Sequence, residues 1–209
     1  MKDKAIILDL DDTLLSTHYR QYCCINNYLY GIGIDFIDYE NYFQLRRLNN
    51  LSNSNLLKSL NIDPDWENFN LYYQQNIESD KYLALDSLIV DENLLASLKK
   101  KNFKFILLSL RNNPKNSINQ LVNLGLKNYF DEIHFIEHHL IKNPKSVMLE
   151  QLNQRYNIIS FCGDSTSDYE AAVQLNINFV QVKTSLYLLP DFNKAKQFTD
   201  INQYFLTLT

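Results

Sequence analysis

The sequence predicts an α/β fold: a parallel sheet with helices on both faces, and a smaller helical unit inserted after the first strand. Three observations carry that prediction. Short continuous apolar runs alternate with segments whose apolar residues fall at helical spacing. The first run, Ala5-Ile6-Ile7-Leu8, has the unbroken apolar character of a parallel strand buried on both sides. The stretch behind it, residues 16–83, drops the alternation and is rich in Tyr, Asn and Leu. Residues 1–15 and 84–209 are therefore expected to form the core, and residues 16–83 a helical insert.

Within the insert, Ile25, Tyr28, Leu29 and Ile32 keep the i, i+3, i+4, i+7 spacing of one helix face. Trp66, Phe69 and Tyr73 mark a second helix, which Asp63 is expected to cap with Pro64 at its first position. Tyr28, Tyr30, Tyr42, Tyr72 and Tyr73 are read as the insert's own core and rim. After Leu85 the alternation resumes. Asp91 caps a helix carrying Leu94, Leu95 and Leu98, and Lys99-Lys100-Lys101 closes it with the sign that suits a helix C-terminus. A strand over 103–108 follows, then a helix marked by Ile118, Leu121 and Val122 and ended by Gly125. Another strand spans 133–136. Asn143-Pro144 opens a helix with Met148, Leu149, Leu152 and Tyr156 inward. A strand over 158–162, a helix through Ala171-Ala172-Val173 and a strand over 179–182 complete the series.

Composition narrows the function. The chain has 209 residues, 45% hydrophobic and 21% charged, which excludes wholesale disorder, and 4 Gly with 4 Pro exclude collagen. No apolar run approaches the roughly 18 residues of a membrane span. Met1-Lys2-Asp3-Lys4-Ala5 leads into a strand too short and too soon acidic for a signal peptide. A net charge of −4 gives no electrostatic footprint for nucleic acid. Neither nucleic acid nor membrane is expected as a partner. Cys23, Cys24 and Cys162 are an odd set without CxxC, which fits buried thiols and a cytoplasmic location. The four histidines lack zinc spacing, and His138-His139 would diverge on any regular element.

Ligands of parallel sheets bind at the carboxyl ends of the strands. Asp9, Asp11 and Asp12 follow the first strand, Ser109 the second, and Asp164 and Asp168 the fourth. Acids gathered there repel one another unless a cation neutralises them, and an all-oxygen donor set suits Mg²⁺. Asp9 and Asp11, two apart at a strand end, are expected on the same side. One carboxylate could attack as a nucleophile while the other moves a proton. Asp12, one residue on, points away and is read as structural. Gly163 is read as leaving room beside the acid loop.

Ile6-Ile7-Leu8-Asp9-Leu10-Asp11-Asp12-Thr13-Leu14 resembles the first motif of the haloacid dehalogenase-like (HAD) hydrolases. Leu107-Leu108-Ser109 resembles the second, and Phe161-Cys162-Gly163-Asp164-Ser165-Thr166-Ser167-Asp168 the fourth. The ordered set covers nearly the whole chain, and the insert stands where that superfamily carries a C1-type helical cap. The resemblance implies a Rossmann-like, HAD-like core and a phosphatase of small phosphorylated metabolites, acting through an aspartyl-phosphate on Asp9. It implies that Asp11 is the proton donor and then the base. The second acid also favours phosphoryl over dehalogenase chemistry. Mg²⁺ would be held by Asp9, the Asp11 carbonyl and Asp164, with Asp168 binding through water or orienting the others. Ser109 would bind a phosphoryl oxygen.

The third motif is a lysine before a helix. Lys142 has the more usual distance to Asp164; Lys145 has the better helical phase, and a cation in the first turn opposes the helix dipole unless it pairs with Asp9 and phosphate. Lys145 is preferred. One departure follows Ser109: Leu110 stands where many relatives have Asn, so only the backbone amide can be carried over. Arg111 is read as a solvated side chain rather than a contact to an anionic substrate group. A phosphomutase of the same superfamily, a non-catalytic binding protein on this fold and a phospho-receiver are the alternative readings. Receivers are shorter and lack the insert. A monomer or homodimer is expected.

Overall fold

Strand β1 (Lys4–Leu8) buries every residue after its first. In the computed structural model, which describes residues 2–137 and 143–209, it becomes the centre of the sheet. Lys142 and the His138-His139 pair lie outside the described residues. After β1 come the short β2 (Leu15–Ser16) and five helices: α1 (His18–Gly31), α2 (Tyr39–Asn49), α3 (Asn53–Ser59), α4 (Trp66–Asn76) and α5 (Asp80–Leu83). Strand β3 (Ser87–Leu88) returns antiparallel to β2, so the insert is entered and left through one two-stranded ribbon. The remainder alternates: α6 (Glu92–Lys100), β4 (Lys104–Leu110), α7 (Pro114–Asn123), β5 (Glu132–Ile136), α8 (Pro144–Arg155), β6 (Asn157–Gly163), α9 (Thr166–Gln174), β7 (Phe179–Val182), β8 (Lys196–Phe198) and α10 (Ile201–Leu206).

The large sheet has six strands in the order β5-β4-β1-β6-β7-β8, every neighbouring pair parallel. The strand order reverses at β1, which is where such sheets open a crevice. Period-two alternation divides the core cleanly. Ile6, Leu8, Phe105, Leu107 and Val180 face one cluster with α6, α7 and α10. Ala5, Ile7, Ile106, Leu108 and Phe161 face the other with α8 and α9. The insert has its own cluster, around Ile25, Tyr28, Leu29, Tyr42, Leu57 and Phe69. Tyr72 and Tyr73 pack on it, while Tyr30 lies outside, stacked on Phe36. No described helix is long and apolar enough to cross a membrane.

Three details depart from expectation. Helix α4 is capped by Asp65, whose Oδ1 accepts from the amides of Glu67 and Asn68, both at 3.1 Å. Asp63 is instead spent on the indole Nε1 of Trp66 at 2.8 Å, so Pro64 falls outside the helix. Asn143 stands at the N-cap of α8 with φ 63°, and its side chain donates to the carbonyl of Ser167 at 2.8 Å rather than capping. The carboxyl-terminal β8 and α10 had no expectation at all. Their runs are too short to show a period, although Asp200 caps α10 through Gln203.

Candidate active site

The register of β1 with β4 and β6 brings three strand ends to one rim, carrying Asp9, Ser109 and Asp164. Asp9 continues the β1 ladder by one bond, its amide donating to the carbonyl of Cys162 at 3.0 Å. Ser109 is buried near the end of β4. Helix α9 then turns Asp168 back toward the rim through a capping box: Ser165 accepts from the Asp168 amide, and the Asp168 Oδ2 accepts from both the amide and hydroxyl of Ser165. Gly163 is required here. A Cβ at that position would lie 2.5 Å from Asp168 Oδ2.

Lys145, in the first turn of α8, donates to Asp9 Oδ1 and Asp168 Oδ1, each at 2.5 Å. It is 3% exposed, so the cation opposing the helix dipole is held by two carboxylates and not by water. Burial would lower the Lys145 ammonium, but Asp168 and Asp9 raise it above its ordinary value. Burial pushes the Asp9 carboxyl up to about 7, with Lys145 pulling against it and Asp168 and Asp11 adding to it. Asp164 is raised well above the usual carboxylate range, first by burial and then by Asp12, Asp9 and Asp168, with a hydrogen bond from Ser185 as counterweight.

Asp9, Asp164 and Asp168 each offer a carboxylate oxygen within 4.8 Å of one another. The donors are all oxygen and bear too much negative charge for one lysine to balance. That set fits a hard divalent cation such as Mg²⁺. A cavity of about 410 Å³ opens beside Asp164, between Arg47 of α2 and Ser185.

Asp11 is held by a different cation from Asp9. The Arg111 guanidinium forks onto it: Nε donates to Oδ2 at 2.8 Å and Nη2 donates to Oδ1. Arg20 of α1 adds Nη2 at 3.2 Å from Oδ2. Burial alone would raise the Asp11 carboxyl, yet Arg111 and Arg20 hold it at about 2. Each carboxylate has its own cation, Lys145 for Asp9 and Arg111 for Asp11, and Asp11 still lies near enough to help raise Asp9. Arg111 is not solvated, as the sequence suggested, but 1% exposed. Asp12 accepts from the Thr17 amide at 2.9 Å and its hydroxyl at 2.8 Å, and it lies near enough to Asp164 to help raise it.

Sequence reasoning missed Arg20, Asp86 and Gln120, which complete the network around Asp11. Gln120 donates to Asp86 Oδ2 at 2.7 Å and to the Leu83 carbonyl at 2.8 Å. Nothing in their local sequence marks them; tertiary proximity alone joins them. The Ser165–Asp168 box was legible as S-x-x-D.

A family model described as haloacid dehalogenase-like hydrolase matches residues 6–182. No curated protein matches the chain. Among solved structures, Protein Tyrosine Kinase A of Mycobacterium tuberculosis is similar at 19% identity and a TM-score of 0.75, covering 99% of this chain and 98% of that one. A HAD-superfamily hydrolase of subfamily IA, variant 1, from Geobacter sulfurreducens is similar at 19% identity and a TM-score of 0.74, covering 99% and 97%. The HAD-type protein YfnB of Bacillus subtilis, bound to magnesium, is similar at 14% identity and a TM-score of 0.66, covering 100% and 99%.

Proposed function

The chain belongs to the haloacid dehalogenase-like hydrolases, and from that premise we propose that it is a Mg²⁺-dependent phosphatase of small organic phosphomonoesters. One observation carries the reading. A buried lysine and three carboxylates from distant parts of the chain converge on the rim where β1 ends. In this reading residues 16–83 are the C1-type cap and residues 1–15 and 84–209 the core. The three free cysteines support a cytoplasmic setting.

Asp9 is assigned as the nucleophile. One of its oxygens is anchored by Lys145, which fixes the direction of the carboxylate and neutralises it as the phosphoryl group approaches. The attack forms an Asp9 O–P bond and breaks the ester P–O bond. Asp11, ionised while Arg111 and Arg20 hold it, must first leave that pairing and take up a proton from solvent; it then gives this proton to the leaving oxygen, and as a carboxylate takes one from the water that hydrolyses the aspartyl-phosphate. Ser109 and the amide behind it hold phosphoryl oxygens. Asp168 keeps Lys145 in place, and from there it would bind the ion through water or orient the other ligands. Asp9, the Asp11 carbonyl and Asp164 would hold Mg²⁺, which when bound offsets negative charge on the phosphoryl oxygens.

The test is release of inorganic phosphate from p-nitrophenyl phosphate. Wild type with Mg²⁺ should turn over and EDTA should silence it. Asp9→Asn should fall by at least about a thousandfold while keeping its circular-dichroism spectrum. Turnover retained in Asp9→Asn would falsify the nucleophile assignment.

A further inference from the structure

Two acids and two guanidiniums share one cluster where the insert meets the core. Arg20 of α1 places Nη2 3.2 Å from Asp11 Oδ2 and Nε 3.3 Å from Asp86 Oδ1. Arg111 forks onto Asp11 through Nε and Nη2, and the same Nη2 lies 3.8 Å from Asp86 Oδ2. Each cation thus has a second anion within reach. The two acids differ in freedom. The Asp11 side chain is 31% exposed, whereas that of Asp86 is fully covered. Asp86 is also tethered: Gln120 donates to its Oδ2 at 2.7 Å and is itself anchored on the Leu83 carbonyl at 2.8 Å. Asp86 Oδ1 accepts no hydrogen bond among the described residues, because the Arg20 Nε contact is not aligned as one. Asp86 therefore holds acceptor capacity in reserve beside both guanidiniums.

The inference rests on the phosphatase reading, in which Asp11 leaves the Arg111 fork before it protonates the ester oxygen. Both guanidiniums are buried, and stripping a buried cation of its only anion is strongly unfavourable. With Asp11 as sole partner, that penalty would fall on every turnover. A second carboxylate that stays behind avoids it. Departure of Asp11 also removes a charge that pushes Asp86 up, and both arginines then favour the ionised form of Asp86.

We propose that Asp86 is a positioning residue for the proton donor: it is the standing anion onto which Arg111 and Arg20 close when Asp11 turns to the ester oxygen. Being covered, Asp86 meets no substrate and acts through the two guanidiniums. Without its charge, Asp11 is the one carboxylate left to two buried cations and stays in the fork.

Leaving groups separate this role from a structural one. p-Nitrophenolate departs without a proton, whereas ethoxide needs one. The parameter kcat/KM stops at the first phosphoryl transfer, so it reads Asp11 as donor and not as base. The Mg²⁺-loaded full chain is assayed on ethyl phosphate and on p-nitrophenyl phosphate. Asp86→Asn should lose at least about tenfold more kcat/KM on ethyl phosphate than on p-nitrophenyl phosphate. Asp11→Asn sets the scale and should lose more in the same direction. A cavity of about 190 Å³ lined by Leu83, Asp86, Gln120 and Leu124 gives a small anion access. Asp86→Ala should therefore recover activity on ethyl phosphate in formate and not in neutral formamide; this variant serves if the asparagine one does not fold. Equal losses on the two esters, or none, in Asp86→Asn overturn the proposal and leave the phosphatase reading standing, as does the lack of selective recovery in formate. Wild-type turnover of p-nitrophenyl phosphate alone, or equal losses on both esters in Asp11→Asn, overturns the donor assignment and this proposal with it. No hydrolysis of either ester by wild type overturns the phosphatase reading itself.

Discussion

At the scale of single residues, the pairing of Lys145 with Asp9 explains how a buried acid is tolerated. The folded Asp9 carboxyl sits at about 7 against an ordinary 3.8, and burial moves Asp86 the same way, to about 7. A carboxyl raised by folding contributes stability below its unfolded value and loses it as pH climbs through the folded one. In EDTA the melting temperature should therefore fall between pH 3.8 and about 7. Saturating Mg²⁺ should flatten that decline, because a cation favours ionised Asp9. Calorimetric melts with and without the ion decide it; a rise across that interval in EDTA would reject the assignment. Gly163 makes a second residue-scale prediction. Its alanine variant would press on Asp168, which Ser165 and Lys145 hold in place. Urea denaturation should show a loss of about 1–3 kcal/mol, and kcat/KM should drop at least about tenfold because Lys145 loses its support. Wild-type values on both counts would mean that Asp168 relaxes freely.

At the scale of elements, sequence pattern performed best where one face is buried. Helix α6 runs as its Leu94, Leu95 and Leu98 spacing demands, with Asp91 accepting from the Asn93 amide at 2.8 Å. Cap choice was less legible where two acids flank a proline. Asp63 and Asp65 are equivalent by type, and the Trp66 indole decides between them. Asp65→Ala should cost about 1 kcal/mol in chemical denaturation, and Asp63→Ala only a few tenths, having no helical amide to lose. The reverse order would restore the cap to Asp63. Helix α8 shows an element tuned by its site. Its first turn holds a cation against the dipole and has no side-chain cap, which is tolerable only because two carboxylates lie across from Lys145.

At the scale of the whole molecule, the insert and the core are fastened on two further sides besides the β2–β3 ribbon and the Arg20 and Leu83 contacts beside Asp11. On one side Glu78, between α4 and α5, accepts from the amides of Asn112 and Asn113 at 3.1 and 2.6 Å. On the other, Arg47 Nη1 donates to the Ser185 carbonyl at 2.8 Å, and Leu186 joins the insert's apolar cluster. These ties hold the insert over the strand ends, where it can exclude water. Glu78→Ala should raise hydrogen exchange at the Asn112 and Asn113 amides by roughly tenfold while leaving the β1 amides protected. Unchanged exchange would mean that the tie does not restrain the loop. The alternation of apolar runs determined the parallel sheet, the acids at its carboxyl rim and the place of the insert. These depend on local periodicity and on the end of a strand, and both are written in consecutive residues. Tertiary structure alone decided that Asp11 pairs with Arg111, that Arg20 and Asp86 join them, and that the loop after β7 packs against the insert. Those partners are far apart in the chain, and each is chosen by which charge or apolar surface lies nearest once the sheet has formed.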